Sequence, residues 1–331
     1  MVKTLPSQGS IPSSNLGRIT KNKLNKKKKG VIDLNFNNQL EVRKEKISKA
    51  TEALKAELNN LNYLDRLVYA SVQGSTNYNL DVYNEYYESD VDWKVFILPT
   101  FKDLYTGNKI SKTYTYEYGQ FELKDIRLLP ELLGKMNSSY LELLFSDYTI
   151  ISDTYHSAIM NLRSLGDELI SDRLPLLVKS LMGMCLEKQN ALCHEYEGLK
   201  EKLAYFGGYD PKQLHHAIRL QYILQDIEKA VKNDEPISYD NILRYEGERR
   251  NYLLDIKVNG TQFRLPEALD IMKECVENCQ KVYKEFWSPT KPMIPCKTDL
   301  FNYITPISNT TLDKIKEIVY KIVETSFNTL K

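Results

Sequence analysis

With 331 residues the chain is long enough for two domains, or for one domain with a large extension. Apolar residues make up 42% of it, which supports a buried core and excludes a wholly disordered chain. No apolar run approaches the ~20 residues of a membrane-spanning helix, so no membrane partner is expected.

The formal net charge of +1 hides an asymmetry. Residues 1–30 carry eight Lys/Arg and no Asp/Glu, which leaves 37 basic and 44 acidic residues in the remainder. A basic segment therefore precedes a mildly acidic body. Residues 1–35 are rich in Ser, Pro, Gly, Asn and Lys, with a run from Lys26 to Lys29, and read as a disordered basic tail. That tail is either a solvated leader or a weak, salt-sensitive contact to nucleic acid. Cysteines stand at 185, 193, 275, 279 and 296. Cys275 and Cys279 fall on one helix face, but a lone CxxxC is poor zinc chemistry, and they read as core thiols. An odd cysteine count and no signal peptide point to a reducing, cytoplasmic compartment, the host cytosol if the protein is phage-encoded. The abundance of Lys, Asn, Ile and Tyr fits an AT-rich genome.

After the tail, residues 38–61 form an amphipathic helical pattern, with Leu40, Ile47, Leu54 and Leu58 on a stripe. Residues 66–72 read as a strand. Residues 74–83 read as a turn and a short helix. A second strand is expected over 90–98, closed by Pro99, and a third over 113–123. Asp125 then opens a helix, with Leu128, Leu129, Leu132 and Leu133 turned inward. From about Asp153 onward the chain is almost wholly helical, with segments at 154–164, 174–204, 211–231, 237–256, 263–286 and 310–330. Gly207-Gly208, residues 233–236, Asn259-Gly260 and the proline-containing 288–296 separate them. The fold class is therefore α+β: a small mixed-sheet core over 36–150 and a helical domain over 151–331.

The chemistry gathers in the first part. Gly74-Ser75 ends an apolar strand. Fifteen residues on, Asp90 and Asp92 alternate at the start of the next one, so both carboxylates point to one side. Two hard oxygen ligands beside a Gly-Ser turn suit Mg²⁺ carrying a nucleoside triphosphate. Glu122 lies between Phe121 and Leu123 on the third strand, and Asp125 follows it.

This order resembles the DNA polymerase beta-type nucleotidyltransferase superfamily: an apolar strand ending in Gly-Ser, an acidic-x-acidic pair, then a third acid on a neighbouring strand. The run Gly74-Ser75-Thr76-Asn77-Tyr78-Asn79-Leu80, with Ser89-Asp90-x-Asp92-x-Lys94, is similar to a group of nucleotidyltransferase-like proteins of bacteria and their phages. The second motif of that group, GYDPKxxxHxxRL, is matched from Gly208 to Leu220, and its Asn-x₄-Glu pattern by Asn137 and Glu142. The resemblance covers about residues 65–305, and 83–88 looks like a small insertion in it.

The resemblance implies transfer of a nucleoside monophosphate from an NTP to an acceptor hydroxyl, with release of pyrophosphate and with Mg²⁺ or Mn²⁺ as cofactor. The acceptor stays open: RNA, a protein hydroxyl or a small molecule. Asp90, Asp92 and Glu122 are the expected catalytic and metal residues, and Asp125 is the substitute for Glu122. Asp125 also reads as an N-cap, since it precedes a helix. Gly74 and Ser75 would meet the triphosphate, with Gly74 allowing close backbone approach. Lys94 either neutralises phosphate or pairs with the aspartates. Lys212, His216 and Arg219 share one helix face, which holds phosphates or forms a polar interdomain surface. His215 reads as structural. Arg249 or Arg250 could approach the site from an otherwise solvated helix. Two rival readings remain: a catalytically silent nucleotide-binding or regulatory module, and a nucleic-acid interaction protein that acts through residues 1–30.

Overall fold

A computed structural model describes residues 36–83, 88–195, 200–260, 263–287 and 307–328. The expected basic tail, most of the 83–88 insertion and Cys296 lie outside the described residues.

Helix α1 (Phe36–Asn60) forms because apolar residues recur every three or four positions. Its buried stripe is Ile47, Ala50, Leu54 and Leu58. Strand β1 (Leu67–Gln73) is buried along almost its whole length, so it reads as a continuous apolar run. A 3₁₀ turn at Gly74–Thr76 follows it. Strand β2 (Asp92–Ile97) leads to α2 (Phe101–Thr106), which Thr100 and Asp103 cap reciprocally. Strands β3 (Ser111–Tyr116) and β4 (Gly119–Asp125) form a hairpin. The single third strand expected over 113–123 is thus two antiparallel strands, because the chain reverses at Glu117-Tyr118 and Gly119 takes a φ of 157°. Short helices α3 (Leu129–Gly134) and α4 (Ser138–Leu141) lead to β5 (Thr149–Ile151). That three-residue strand escaped the sequence reading and spans residue 150, where the core was expected to end.

The sheet order is β3-β4-β2-β1-β5, with β2 and β4 parallel and the other pairs antiparallel. One face, with Ala70, Val72, Trp93, Val95, Ile97, Phe121 and Leu123, packs on the α1 stripe. On the opposite face Tyr69 and Phe96 join the core of the helical part. The fold is α+β: one mixed five-stranded sheet with twelve α-helices among the described residues.

The helical part comprises α5 (His156–Ser164), α6 (Gly166–Ala191), α7 (Lys200–Tyr205), α8 (Pro211–Lys232), α9 (Tyr239–Leu243), α10 (Gly247–Asn259), α11 (Leu265–Trp287) and α12 (Thr310–Asn328). The helix expected over 174–204 begins earlier, kinks at Arg173 just before Pro175, and stops at Ala191. The one expected over 237–256 is broken after Leu243, where Arg244 turns extended and Gly247 adopts a φ of 57°. Helix α8 starts as its Asp-Pro sequence requires: Asp210 accepts from the Lys212 N–H, and Pro211 fills the first turn. Cys185, Cys275 and Cys279 are buried thiols, while Cys193 is exposed. No described helix is long and apolar enough to cross a membrane.

Candidate active site

The site grows from the ends of three strands. Gly74 sits at a φ of 80°, a left-handed conformation that favours glycine. The turn closes through Asn77 N–H to the Gly74 carbonyl at 3.0 Å and Leu80 N–H to the Ser75 carbonyl at 2.9 Å. The residue before Gly74, Gln73, lies opposite Asp92 in the β1–β2 register. Antiparallel pairing therefore brings the Gly-Ser turn to the acidic pair, although fifteen residues separate Ser75 from Asp90.

Asp92 is the first residue of β2. Asp90 precedes the strand, so strand alternation alone does not align the two carboxylates as the sequence reading expected. The hairpin holds them instead. Val91 N–H donates to the Tyr118 carbonyl at 2.9 Å, and Gln120 N–H donates to Asp92 Oδ1 at 2.9 Å. Gly119 lies between these bonds. A Cβ there would stand 2.8 Å from Asp92 Oδ1 and 3.0 Å from the Val91 carbonyl oxygen, so only glycine fits.

Burial and the neighbouring Asp92 charge push the Asp90 pKa up to about 6, against the pull of Lys212, Lys46 and Lys257. Burial also raises Asp92, while the Gln120 N–H and the charges of Lys212 and Lys94 oppose it. A pair of carboxylates that resists ionisation is relieved by a bound cation.

Glu122 behaves differently. The parallel β2–β4 register sets it beside Lys94, whose Nζ lies 3.1 Å from Glu122 Oε1. The Tyr140 hydroxyl donates to Oε2 at 2.9 Å, and Lys124 Nζ is 3.4 Å away. Burial raises Glu122, but the two lysines overcome it, and the net shift is downward. Lys94 is 2% exposed, with its ammonium 4.3 Å from the centre of the Tyr140 ring. It thus pairs with Glu122 rather than with the aspartates. Among the described residues no three His, Cys, Asp or Glu side chains converge as a metal cage. Asp90 and Asp92 offer two oxygen ligands that fit Mg²⁺, while Glu122 is engaged by its lysines and does not complete the set.

Asp125 is no substitute for it. Three residues beyond Glu122, it points to the opposite face of β4 and pairs in register with Ile97, at the far end of β2 from Asp92. It is buried, accepts from the Arg127 N–H at 2.9 Å and forms an ion pair with Arg127 at 2.6 Å. Its capping role matches the alternative that its sequence position offered.

Helix α8 brings the second motif to the same place. Lys212, exposed on its first turn, acts electrostatically on both aspartates. Arg219 is 4% exposed, and its guanidinium lies 4.0 Å from the centre of the Tyr78 ring. Its Nε and Nη1 have no hydrogen-bond acceptor. A buried cation with unsatisfied N–H groups is costly, and such a group beside a turn of backbone amides suits an anion. His216 departs from the expected basic face. Burial and the nearby His215, Arg219 and Lys212 drive its pKa far below the ordinary histidine value, so its ring is neutral at pH 7. His215 is structural, as its sequence context suggested: it is buried and its Nδ1 lies 2.8 Å from the Leu253 carbonyl oxygen.

Several residues at the site were missed or left unassigned. Glu142 is buried, and its Oε2 accepts from Gly74 N–H at 3.1 Å and from Asn77 Nδ2 at 3.3 Å. It is the final residue of the Asn-x₄-Glu pattern, which marked it without revealing its role. Residues 79–81, just after the Gly-Ser turn, are gripped by cations from two helices. From α1, Arg43 donates to both oxygens of the buried Asp81 and, at 2.9 Å, to Asn79 Oδ1. From α10, Arg250 donates to the Asn79 carbonyl at 2.8 Å and Lys257 to the Leu80 carbonyl at 2.6 Å. Arg250 and Lys257 stand at i and i+7, a spacing legible in the sequence. Arg249 turns away to Asp226.

No protein-family model matches the chain, and no curated protein matches it either.

Proposed function

We propose that the chain is a metal-dependent nucleotidyltransferase that moves a nucleoside monophosphate from an NTP to an acceptor hydroxyl and releases pyrophosphate. The observation that carries this reading is the seating of Asp90 and Asp92 against the glycine backbone at 119, one strand across from the Gly74-Ser75 turn. Asp90 and Asp92 are the residues that would hold Mg²⁺ or Mn²⁺. The ion would supply charge neutralisation at the phosphates.

The remaining roles belong to the chain. Ser75 and the backbone of the turn orient the triphosphate, and Arg219 lends a desolvated positive charge beneath that turn. Lys212 balances phosphate charge from the mouth of the site. Glu122 is the carboxylate in reach of an acceptor proton once Lys94 turns from it to phosphate. Lys94 is the largest charge holding its pKa down, so that movement would leave an ionised carboxylate that is more basic than in the resting site.

The test is incubation with each α-labelled NTP, Mg²⁺ or Mn²⁺, and RNA or extract protein. The double variant Asp90→Asn, Asp92→Asn is expected to lose at least about 100-fold of the label transferred. Undiminished transfer by that variant would sink the reading.

A second reading is favoured by one observation: Glu122 is tied to Lys94, Lys124 and Tyr140. A catalytically silent nucleotide-binding module needs no third carboxylate free for chemistry. Saturable NTP binding with no label on any acceptor would select it.

A further inference from the structure

The proposed chemistry leaves the Asn137-x₄-Glu142 pattern without a task. Its first residue starts a helix: Asn137 Oδ1 accepts from the Ser139 N–H at 2.9 Å and caps α4. The cap fixes the start of that short helix, and two side chains leave the segment for the site. The Tyr140 hydroxyl donates to Glu122 at 2.9 Å. Two residues on, where the chain tightens into a 3₁₀ turn, Glu142 reaches the Gly-Ser turn. One capped segment therefore touches the site from both sides.

Glu142 is 2% exposed. A buried carboxylate is unfavourable unless its oxygens find donors. Oε2 has two, the Gly74 N–H at 3.1 Å and Asn77 Nδ2 at 3.3 Å. Asn77 is itself fixed: its Nδ2 also donates to the Val72 carbonyl at 2.8 Å, and its Oδ1 accepts from Ser146 Oγ at 2.8 Å. The Asn77 N–H closes the turn on the Gly74 carbonyl at 3.0 Å. Glu142 thus clamps the turn at its first residue and, through Asn77, at the residue that closes it. Burial raises its pKa, against the Tyr78 hydroxyl, the Lys94 charge, the Gly74 amide and the Arg219 charge. The carboxylate therefore lies within the influence of β2 and of α8 as well as of the turn.

We propose that Glu142 is a positioning residue for the nucleotide: by accepting from Gly74 and Asn77 it locks the Gly-Ser turn in the shape that receives the triphosphate. The role rests on the nucleotide-binding reading above, which the transferase and the silent module share. The turn needs such a lock. Gly74 stands at a φ of 80°, and glycine loses more conformational freedom on ordering than any other residue. A turn without a partner for that N–H has other shapes open to it, and a phosphate would then have to order it on binding. With Glu142 in place the ordering is done in the folded chain. The Gly74 amide is committed inward, which leaves the triphosphate to the Ser75 hydroxyl and the backbone beyond Gly74. Asp90 and Asp92 are held separately, by the hairpin bonds of Val91 and Gln120. Loss of the clamp should therefore weaken nucleotide binding and spare metal binding, whereas a merely structural Glu142 would alter stability and leave the affinity of the folded protein alone.

The test is calorimetric titration of each Mg²⁺-NTP into the full chain, with Mn²⁺ binding followed by electron paramagnetic resonance and folding by thermal unfolding. Glu142→Asp keeps the charge and withdraws the carboxylate by one methylene, about 1.5 Å, from the Gly74 N–H. Its dissociation constant for the best-bound nucleotide is expected to rise at least about tenfold, with Mn²⁺ affinity unchanged. Glu142→Gln keeps a carbonyl oxygen able to accept both bonds, and is expected to recover binding to within about threefold of wild type. Equal nucleotide affinity of Glu142→Asp and wild type overturns the role, whatever happens to the melting temperature, and leaves the nucleotide reading standing. Equal weakening in both variants also overturns it, in favour of a counter-charge to Arg219. No nucleotide binding by wild type removes the nucleotide reading itself, and the role with it.

Discussion

On β2, Trp93, Val95 and Ile97 face α1, while Asp92, Lys94 and Phe96 face the opposite way. On β4, Phe121 and Leu123 join the first group, and Gln120, Glu122 and Lys124 the second. The same strands thus build two faces by simple alternation. The α1 face is held by apolar burial, at roughly 1.5–3 kcal/mol for each large side chain removed from water. The other face keeps charged groups out of water, which is unfavourable unless each finds a partner. Lys94, Glu122 and Tyr140 find one another, whereas Asp90, Asp92 and Arg219 are left with strained protonation or unmet hydrogen bonds. The α1 side of β2 and β4 is wholly apolar, while on the other side the groups that a ligand would relieve sit beside the second apolar core, which Tyr69 and Phe96 join.

Breaking the apolar face should have the largest effect on folding. Leu54→Ala, in the fully buried α1 stripe, is expected to cost about 2–5 kcal/mol in urea unfolding, with Mg²⁺-ATP affinity of the folded fraction unchanged. Gly119→Ala attacks the polar face through its backbone. It should cost about 1–3 kcal/mol, and, unlike Leu54→Ala, abolish Mn²⁺ binding measured by electron paramagnetic resonance, because the added methyl displaces Asp92.

Lys94→Met removes the main partner of Glu122 and is expected to cost about 1–2 kcal/mol near neutral pH. Its pH dependence sharpens the point. The folded-state pKa of Glu122 is depressed, so its stabilisation is present above the unfolded value and is lost as pH falls through the folded one. The stability difference between wild type and the variant should therefore shrink as pH falls below about 4, where Glu122 takes up its proton in both.

The smallest expected effect has the opposite sign. The Asp90 pKa is raised to about 6, so the folded state binds its proton more tightly than the unfolded chain does. Stability therefore falls as pH rises from about 4 to about 6. Asp90→Asn should gain about 1 kcal/mol above that window, after allowance for solvent screening of a half-buried group, and nothing below it. Equal stability of wild type and Asp90→Asn at pH 8 would mean that the aspartates sit together without strain.

Much of the fold was legible because it follows local rules. The α1 stripe, the apolar run of β1 and the Asp210-Pro211 start of α8 each lie within one element and obey periodicity or capping. The hairpin at Glu117-Tyr118 was missed because Thr and Tyr residues favour strand on both sides of it, and Gly119 alone marks the reversal. Strand β5 was missed because three residues carry no period. At the site, Gly74 and the two aspartates were legible from residue type and spacing. The partners of Glu122 were not, because parallel pairing of β2 with β4 joins residues 28 apart.

What the sequence determined by itself is the inventory: a Gly-Ser turn at Gly74, two carboxylates one residue apart, a basic helix start at Lys212 and a basic leading segment. Tertiary structure alone decided which of these meet. It turned Asp125 to the wrong face, paired Lys94 with Glu122, made the His216 ring neutral by burial and set Gly119 against Asp92. It also brought Arg43, Arg250 and Lys257 from two distant helices onto one loop. The physical reason is range. Backbone propensity and side-chain alternation act over a few residues, whereas charge pairing and desolvation depend on neighbours that only the folded chain brings together.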